Sequence, residues 1–91
     1  MSSARAKVII KGRVQGVFYR QSTCTKSLEM EVTGWVRNMP NGYVEAVFEG
    51  CEQKIMDILE WCKRGPGSAR VDEVIVSYEE PTGEFSTFKI K

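Results

Sequence analysis

The chain has 91 residues, of which 42% are hydrophobic and 27% are charged, and its 13 basic and 12 acidic side chains leave a net charge of +1. This size predicts one soluble domain, residues 1–91, and the balanced charge argues against a dedicated nucleic-acid binder or a polybasic membrane anchor. The chain contains no histidine, which excludes Ser-His-Asp and Cys-His nucleophile systems and histidine-ligated metal sites.

The cysteines and the N-terminal residues indicate the compartment. Cys24, Cys51 and Cys62 are odd in number and lack CxxC spacing, so we interpret them as reduced core residues rather than zinc ligands or disulfides. Residues 1–5 are short and polar, and we expect them to be flexible and not part of a signal peptide. No apolar stretch has the length of a transmembrane helix. These features predict a cytoplasmic protein.

Hydrophobic periodicity predicts seven elements in chain order. They are a strand at 6–13, a helix at 21–30 after a loop at 12–20, strands at 33–39 and 43–49, a helix at 52–63, a strand at 71–78 and a short edge strand containing Phe88 and Ile90. Pro40-Asn41-Gly42 is a turn signal and joins the second and third strands in a hairpin. Gly65-Pro66-Gly67 ends the second helix.

The spacing of apolar residues assigns a buried face to each element. The second helix carries the clearest stripe, Ile55, Ile58, Leu59 and Cys62. The first helix places Thr23, Ser27 and Met30 on one side, with Cys24 and Leu28 beside them. Val44, Ala46 and Phe48 alternate on the third strand, as do Val74, Val76 and Tyr78 on the fourth. We expect Glu45, Glu49, Glu79 and Glu80 to be solvated.

This order predicts an α+β protein of the ferredoxin-like class, an α/β sandwich. The pattern is β-α-β-β-α-β plus a short C-terminal strand, with two right-handed crossovers that place both helices on one face of an antiparallel sheet. Many functions occur on this architecture, so function must be argued from a site.

The loop at residues 12–20 carries the candidate chemistry. Gly12 and Gly16 allow tight turns that bring successive N–H groups together, and the helix that follows directs its positive end toward the same point. Arg20 adds a fork of donors suited to phosphoryl oxygens. The loop therefore predicts a phosphate cradle, although a glycine-containing connector with a solvated arginine is the structural alternative.

Two segments resemble the signatures of the acylphosphatase family. Residues 10–20 read as an aliphatic residue, one residue of any kind and then G-x-V-Q-G-V-x-[FY]-R, and residues 34–38, Gly-Trp-Val-Arg-Asn, precede Gly42, Val44 and Gly50 at the spacing of the second signature. The likeness covers nearly the whole chain, including Gly65-Pro66 and the Val71 strand. Glu31 and Ser27 depart from it, because many members have a glycine and an alanine there. Glycine usually supplies a left-handed C-cap at the position of Glu31, so the departure bears on where the first helix ends.

The resemblance implies a role for each residue of the site. Arg20 binds the phosphoryl group, and Asn38 orients the attacking water. The backbone of the loop supplies the other phosphate donors, at Gln15, Gly16, Val17, Phe18 and Tyr19. Val14 and Gly16 shape the cradle, and Gln15 braces it.

The implied activity is metal-independent hydrolysis of acyl phosphates to carboxylate and inorganic phosphate, with no cofactor. A carboxylate leaves without protonation, so neither a general acid nor a histidine is needed. We expect a monomer that binds neither nucleic acid nor membrane. Two alternatives are an RNA-binding domain, suggested by Trp35, Trp61, Phe18 and Tyr19, and a non-catalytic anion-binding module on the same fold.

Overall fold

The computed structural model describes residues 2–91, which form five strands and two helices. In chain order these are β1 (Ser3–Arg13), α1 (Tyr19–Glu29), β2 (Thr33–Asn38), β3 (Val44–Cys51), α2 (Glu52–Cys62), β4 (Arg70–Glu79) and β5 (Phe88–Ile90). The predicted type and order of the elements are confirmed. No helix within residues 2–91 is both long and apolar enough to cross a bilayer.

The five strands form one sheet in the order β4-β1-β3-β2-β5. The first four strands pair antiparallel, as the ferredoxin-like fold requires, but β5 pairs parallel to β2 through Gly34 and Phe88. The prediction of a wholly antiparallel sheet is therefore wrong at this one pair. β4 ends and β2 begins at the same end of the sheet. A connector that crosses the sheet along this end therefore enters β5 in the direction of β2.

The core lies between one face of the sheet and the two helices. The predicted stripe of α2 is buried, as are alternate residues of β1 and β3, among them Val8, Ile10 and Phe48. On α1 the buried residues are Tyr19, Thr23 and Ser27, whereas Leu28 is 51% exposed. Leu28 follows Ser27 by about 100° around the helix, so its predicted place beside the buried face is wrong.

Two of the four glutamates predicted to be solvated are buried. Glu45 and Glu49 are each 6% exposed, on the sheet face opposite the helices. Glu45 Oε1 lies 2.6 Å from Arg37 Nε, and Oε2 lies 3.4 Å from Lys7 Nζ. Neighbouring strands therefore cover this carboxylate with long basic side chains, which alternation along one strand cannot reveal. Glu79 and Glu80 are exposed, as predicted.

Glu49 fastens the connector between β4 and β5 to the sheet. Its carboxylate accepts hydrogen bonds from the backbone N–H groups of Thr82, at 3.1 Å, and Gly83, at 2.6 Å. The Arg5 guanidinium donates to the same carboxylate at 3.3 Å and also reaches Glu79. These contacts hold the connector that leads into β5.

The N-terminal residues pair with a strand, and the cysteines differ in part from expectation. Residues 3–5 belong to β1 and pair with residues 49–51 of β3, Met1 lies outside the described residues, and the flexibility of residues 1–5 stays a prediction. All three cysteines carry free thiols; Cys62 is fully buried, and Cys24 and Cys51 are partly exposed.

Candidate active site

A cavity of 430 Å³ lies where the loop after β1, the start of α1 and the end of β2 meet. Its walls are formed by Val14, Gly16, Phe18, Tyr19, Arg20, Gln21, Asn38 and Ile90. The fold therefore brings together Arg20 and Asn38, which lie in different signatures. Two buried strands position these side chains, because β1 leads into the loop before Arg20 and β2 ends at Asn38.

The loop presents a run of unpaired backbone donors. The N–H groups of residues 15–19 donate to no acceptor within residues 2–91. Gly16 and Phe18 have φ values of 74° and 63°, which turn the chain tightly at this point. The helix begins at Tyr19, two residues earlier than predicted, so Arg20 lies in its first turn. Unpaired N–H groups at a helix N-terminus attract an anion.

The two polar side chains named by the signatures are not engaged elsewhere. Within residues 2–91, neither Arg20 nor Asn38 makes a side-chain hydrogen bond or an ion pair. Asn38 Oδ1 is buried and has no partner there. Because a buried polar atom without a partner is costly, this amide is suited to a polar guest such as water.

Gln15 and Val17 support the loop from behind and do not line the cavity. The Gln15 side-chain amide donates to the carbonyls of Met39 and Tyr43, each at 2.8 Å. The Val17 carbonyl accepts a hydrogen bond from Ser68 Oγ at 3.0 Å. Gln15 thus ties the loop to the hairpin that follows Asn38.

Tyr19 contributes its backbone and a buried ring. Its side chain is 1% exposed, and its hydroxyl donates to the Cys62 carbonyl at 2.8 Å. Burial raises the pKa of this hydroxyl, and burial also raises the pKa of the Cys62 thiol to about 12, so both groups stay protonated at neutral pH. Gly65 packs against the ring, since a Cβ there would lie 2.5 Å from Tyr19 Cε2.

The sequence did not identify Gln21 and Ile90 as cavity residues. Gln21 could have been found, because it follows Arg20 in the first turn of α1. Ile90 gave no local signal, because only the parallel pairing of β5 with β2 brings it beside Asn38.

The family model for acylphosphatase matches residues 6–90 of this chain. The chain belongs to the acylphosphatase family. It is 48% identical over 90 residues to an acylphosphatase of Pelotomaculum thermopropionicum, covering 99% of this chain and 98% of that protein. It is 50% identical over 91 residues to an acylphosphatase of Pyrobaculum aerophilum, covering 99% and 96%.

Solved acylphosphatase structures share the fold. An acylphosphatase from Coxiella burnetii superposes with a TM-score of 0.93 at 36% identity, covering 98% of this chain and 93% of that one. The acylphosphatase from Bacillus subtilis also gives a TM-score of 0.93, at 28% identity, covering 97% and 98%. The predicted family and fold class are confirmed.

Proposed function

We propose that this protein is an acylphosphatase that hydrolyses acyl phosphates to a carboxylate and inorganic phosphate. One observation carries the proposal: a single cavity is lined by Arg20, Asn38 and three residues of the loop with unpaired N–H groups, Gly16, Phe18 and Tyr19. The guanidinium supplies a positive charge, the backbone N–H groups supply hydrogen-bond donors, and the side-chain amide can bind water in the same cavity. Membership of the acylphosphatase family makes an acyl phosphate the matching substrate.

The loop and Arg20 would bind the phosphoryl group. The N–H groups of residues 15–19 donate to its oxygens, and the Arg20 guanidinium adds a charged, forked pair of donors. These donors also stabilise charge that develops on the phosphoryl oxygens in the transition state.

Asn38 would hold the attacking water. The side-chain amide is neutral and cannot accept a proton from water at neutral pH, so its role is to orient. The water oxygen forms a bond to phosphorus while the bond from phosphorus to the carboxyl oxygen breaks, and the electron pair leaves with the carboxylate. One proton of the water passes to a phosphoryl oxygen of the substrate. This step needs neither a general acid nor a side-chain base.

The remaining proposals follow from charge and composition. A near-neutral net charge supports a protein that acts without nucleic acid or membrane. We infer a cytoplasmic monomer with free thiols. The RNA-binding alternative is less well supported, because Tyr19 is buried and lies on a helix rather than on the sheet surface.

Hydrolysis of benzoyl phosphate tests the proposal. We expect turnover that persists in excess EDTA and is inhibited competitively by inorganic phosphate. Phosphate binding without turnover would instead support the non-catalytic anion-binding module. A filter-binding assay with single-stranded RNA provides the test of the other alternative.

A further inference from the structure

A second hollow lies on the sheet face opposite the helices. It has a volume of 330 Å³ and is lined mainly by residues of β2, of β5 and of the connector that precedes β5. Trp35 faces this side of the sheet because it pairs with Val47, which shares a face of β3 with Glu45. Of the residues that line the hollow, Ile90 alone also lines the candidate active-site cavity. The hollow is therefore a separate space.

Trp35 gives the hollow an aromatic floor. Its side chain is partly buried in the sheet, and it stands directly opposite Lys89 of β5. Lys91 Nζ lies over the indole, 4.2 Å from the centre of the ring. An ammonium group on an exposed ring strengthens association only about two- to fivefold, whereas a stacked base strengthens it roughly 5- to 150-fold. A planar ligand can therefore displace Lys91 from the indole.

The hollow also presents a set of free hydrogen-bond donors. Lys89 and Lys91 form no ion pair in the part of the chain that the structure describes. The N–H groups of residues 85–87 donate to no acceptor within residues 2–91, and neither do the hydroxyls of Ser86 and Thr87. Ammonium, hydroxyl and backbone N–H groups are the donors that bind phosphate oxygens. These groups favour an anionic ligand.

Glu84 is the one carboxylate among the residues that line the hollow, and one of its oxygens is already used. Oε1 accepts hydrogen bonds from Arg5 Nη1 at 2.5 Å and from Thr82 Oγ1 at 2.9 Å. Arg5 is also paired with Glu49 and Glu79, so its charge is not available to a ligand. Oε2 of Glu84 makes no hydrogen bond within residues 2–91 and can accept one from an exocyclic amine.

We propose that this hollow binds an adenine mononucleotide. The base stacks on Trp35, its amine donates to Glu84, and the phosphate is bound by Lys89, Lys91 and the N–H groups of the connector. A space of 330 Å³ lies at the small end of the range of ligand pockets, which suits one nucleotide rather than a strand of nucleic acid. The site does not depend on the proposed hydrolytic function.

Equilibrium dialysis with AMP tests the proposal, with adenosine and ribose 5-phosphate as ligands that lack the phosphate or the base. We expect AMP to bind at least fivefold more tightly than ribose 5-phosphate, and Trp35→Leu to remove this difference. Lys89→Gln should weaken both phosphate ligands roughly two- to fivefold and leave adenosine unchanged. Lys63→Gln, at an exposed lysine of α2, should change none of the three affinities. Because Lys89 is exposed, its variant tests the site even if Trp35→Leu fails to fold.

A substitution in the candidate active site distinguishes the hollow from the loop after β1. If AMP binds in the hollow, Arg20→Gln keeps the wild-type affinity for AMP. The base should also quench the fluorescence of Trp35, so quenching should persist in Trp61→Phe, which removes the other tryptophan. Absence of saturable AMP binding, equal affinities for AMP and ribose 5-phosphate, or loss of AMP binding in Arg20→Gln would each overturn the proposal.

Discussion

The side chain of Gln15 is hydrogen-bonded to the carbonyl of Met39 at 2.8 Å, which couples the loop after β1, the proposed phosphate site, to the strand end that carries Asn38. A second bond from the same amide nitrogen reaches the Tyr43 carbonyl across the hairpin turn. Both amide hydrogens are therefore used. The distance between the proposed phosphate site and the proposed water site depends on this contact.

Replacing Gln15 should affect turnover more than phosphate binding. We expect Gln15→Ala to lower kcat roughly ten- to hundredfold, as a misplaced reacting group does, while the inhibition constant of inorganic phosphate changes far less. Gln15→Glu should be equally impaired at neutral pH, because a carboxylate cannot donate to two carbonyls. Steady-state kinetics with phosphate inhibition checks this, with Gln53→Ala as a distant control. An equal loss of phosphate affinity and kcat would contradict the positioning role.

Substitutions of Arg20 and Asn38 should separate phosphate binding from turnover, because the two side chains have different proposed roles. Arg20→Gln should lose most phosphate affinity and most activity while the protein still folds. Asn38→Ala should keep phosphate binding and lose roughly a hundredfold in kcat, the scale of one positioned polar group. The exposed Arg13→Gln is the charge-matched control. Full kcat in Asn38→Ala would refute the water-holding role.

Ser27→Ala should stabilise the protein. The Ser27 hydroxyl is fully buried in α1 and has no hydrogen-bond partner in residues 2–91. Removing an unsatisfied buried hydroxyl should raise the free energy of unfolding by about 1 kcal/mol, or the melting temperature by roughly 4–8 °C. Thr23→Ala provides a contrast of opposite sign, because the Thr23 hydroxyl does bond, at 2.7 Å, to the Tyr19 carbonyl. Thermal unfolding of both variants tests this, and a lower melting temperature for Ser27→Ala would contradict it.

Glu31→Gly should also stabilise. Glu31 has φ 59°, and its N–H bonds the Leu28 carbonyl while the Val32 N–H bonds the Ser27 carbonyl, which is the Schellman end of α1. Glycine would relieve left-handed strain and raise the free energy of unfolding by about 1 kcal/mol. The ion pair with Lys54 is exposed and contributes little. Glu31→Ala keeps the strain, so urea unfolding should show no gain for it; equal gains in both variants would exclude strain as the cause.

The ion pairs of Glu45 should make stability depend on acid pH. Burial raises the pKa of this carboxyl, but the hydrogen bonds from Arg37 and Lys7 outweigh burial and hold the pKa below its usual 4.5. A pKa lowered by folding adds stability above pH 4.5 that is lost as the pH falls through the folded value. The free energy of unfolding of Glu45→Gln should therefore fall less steeply than that of the wild type below pH 4.5. Urea titrations across this range test it, with exposed Glu80→Gln as control; parallel curves for Glu45→Gln and wild type would refute it.

The order of elements, the buried stripe of α2 and the loop ending in Arg20 were all readable from the sequence. These features are local: periodicity, turn residues and a contiguous motif are properties of neighbours along the chain. The sequence also indicated that Glu31 occupies the C-cap of α1, where a left-handed conformation favours glycine.

Only the tertiary structure decided the burial of Glu45 and Glu49, the parallel pairing of β5 and the place of Ile90. Each depends on which distant strand or helix packs alongside, and alternation within one strand shows which residues share a face without showing what covers that face. The sequence therefore predicted the two polar side chains of the candidate site, Arg20 and Asn38, while packing between elements determined which other residues line it and the distances among them.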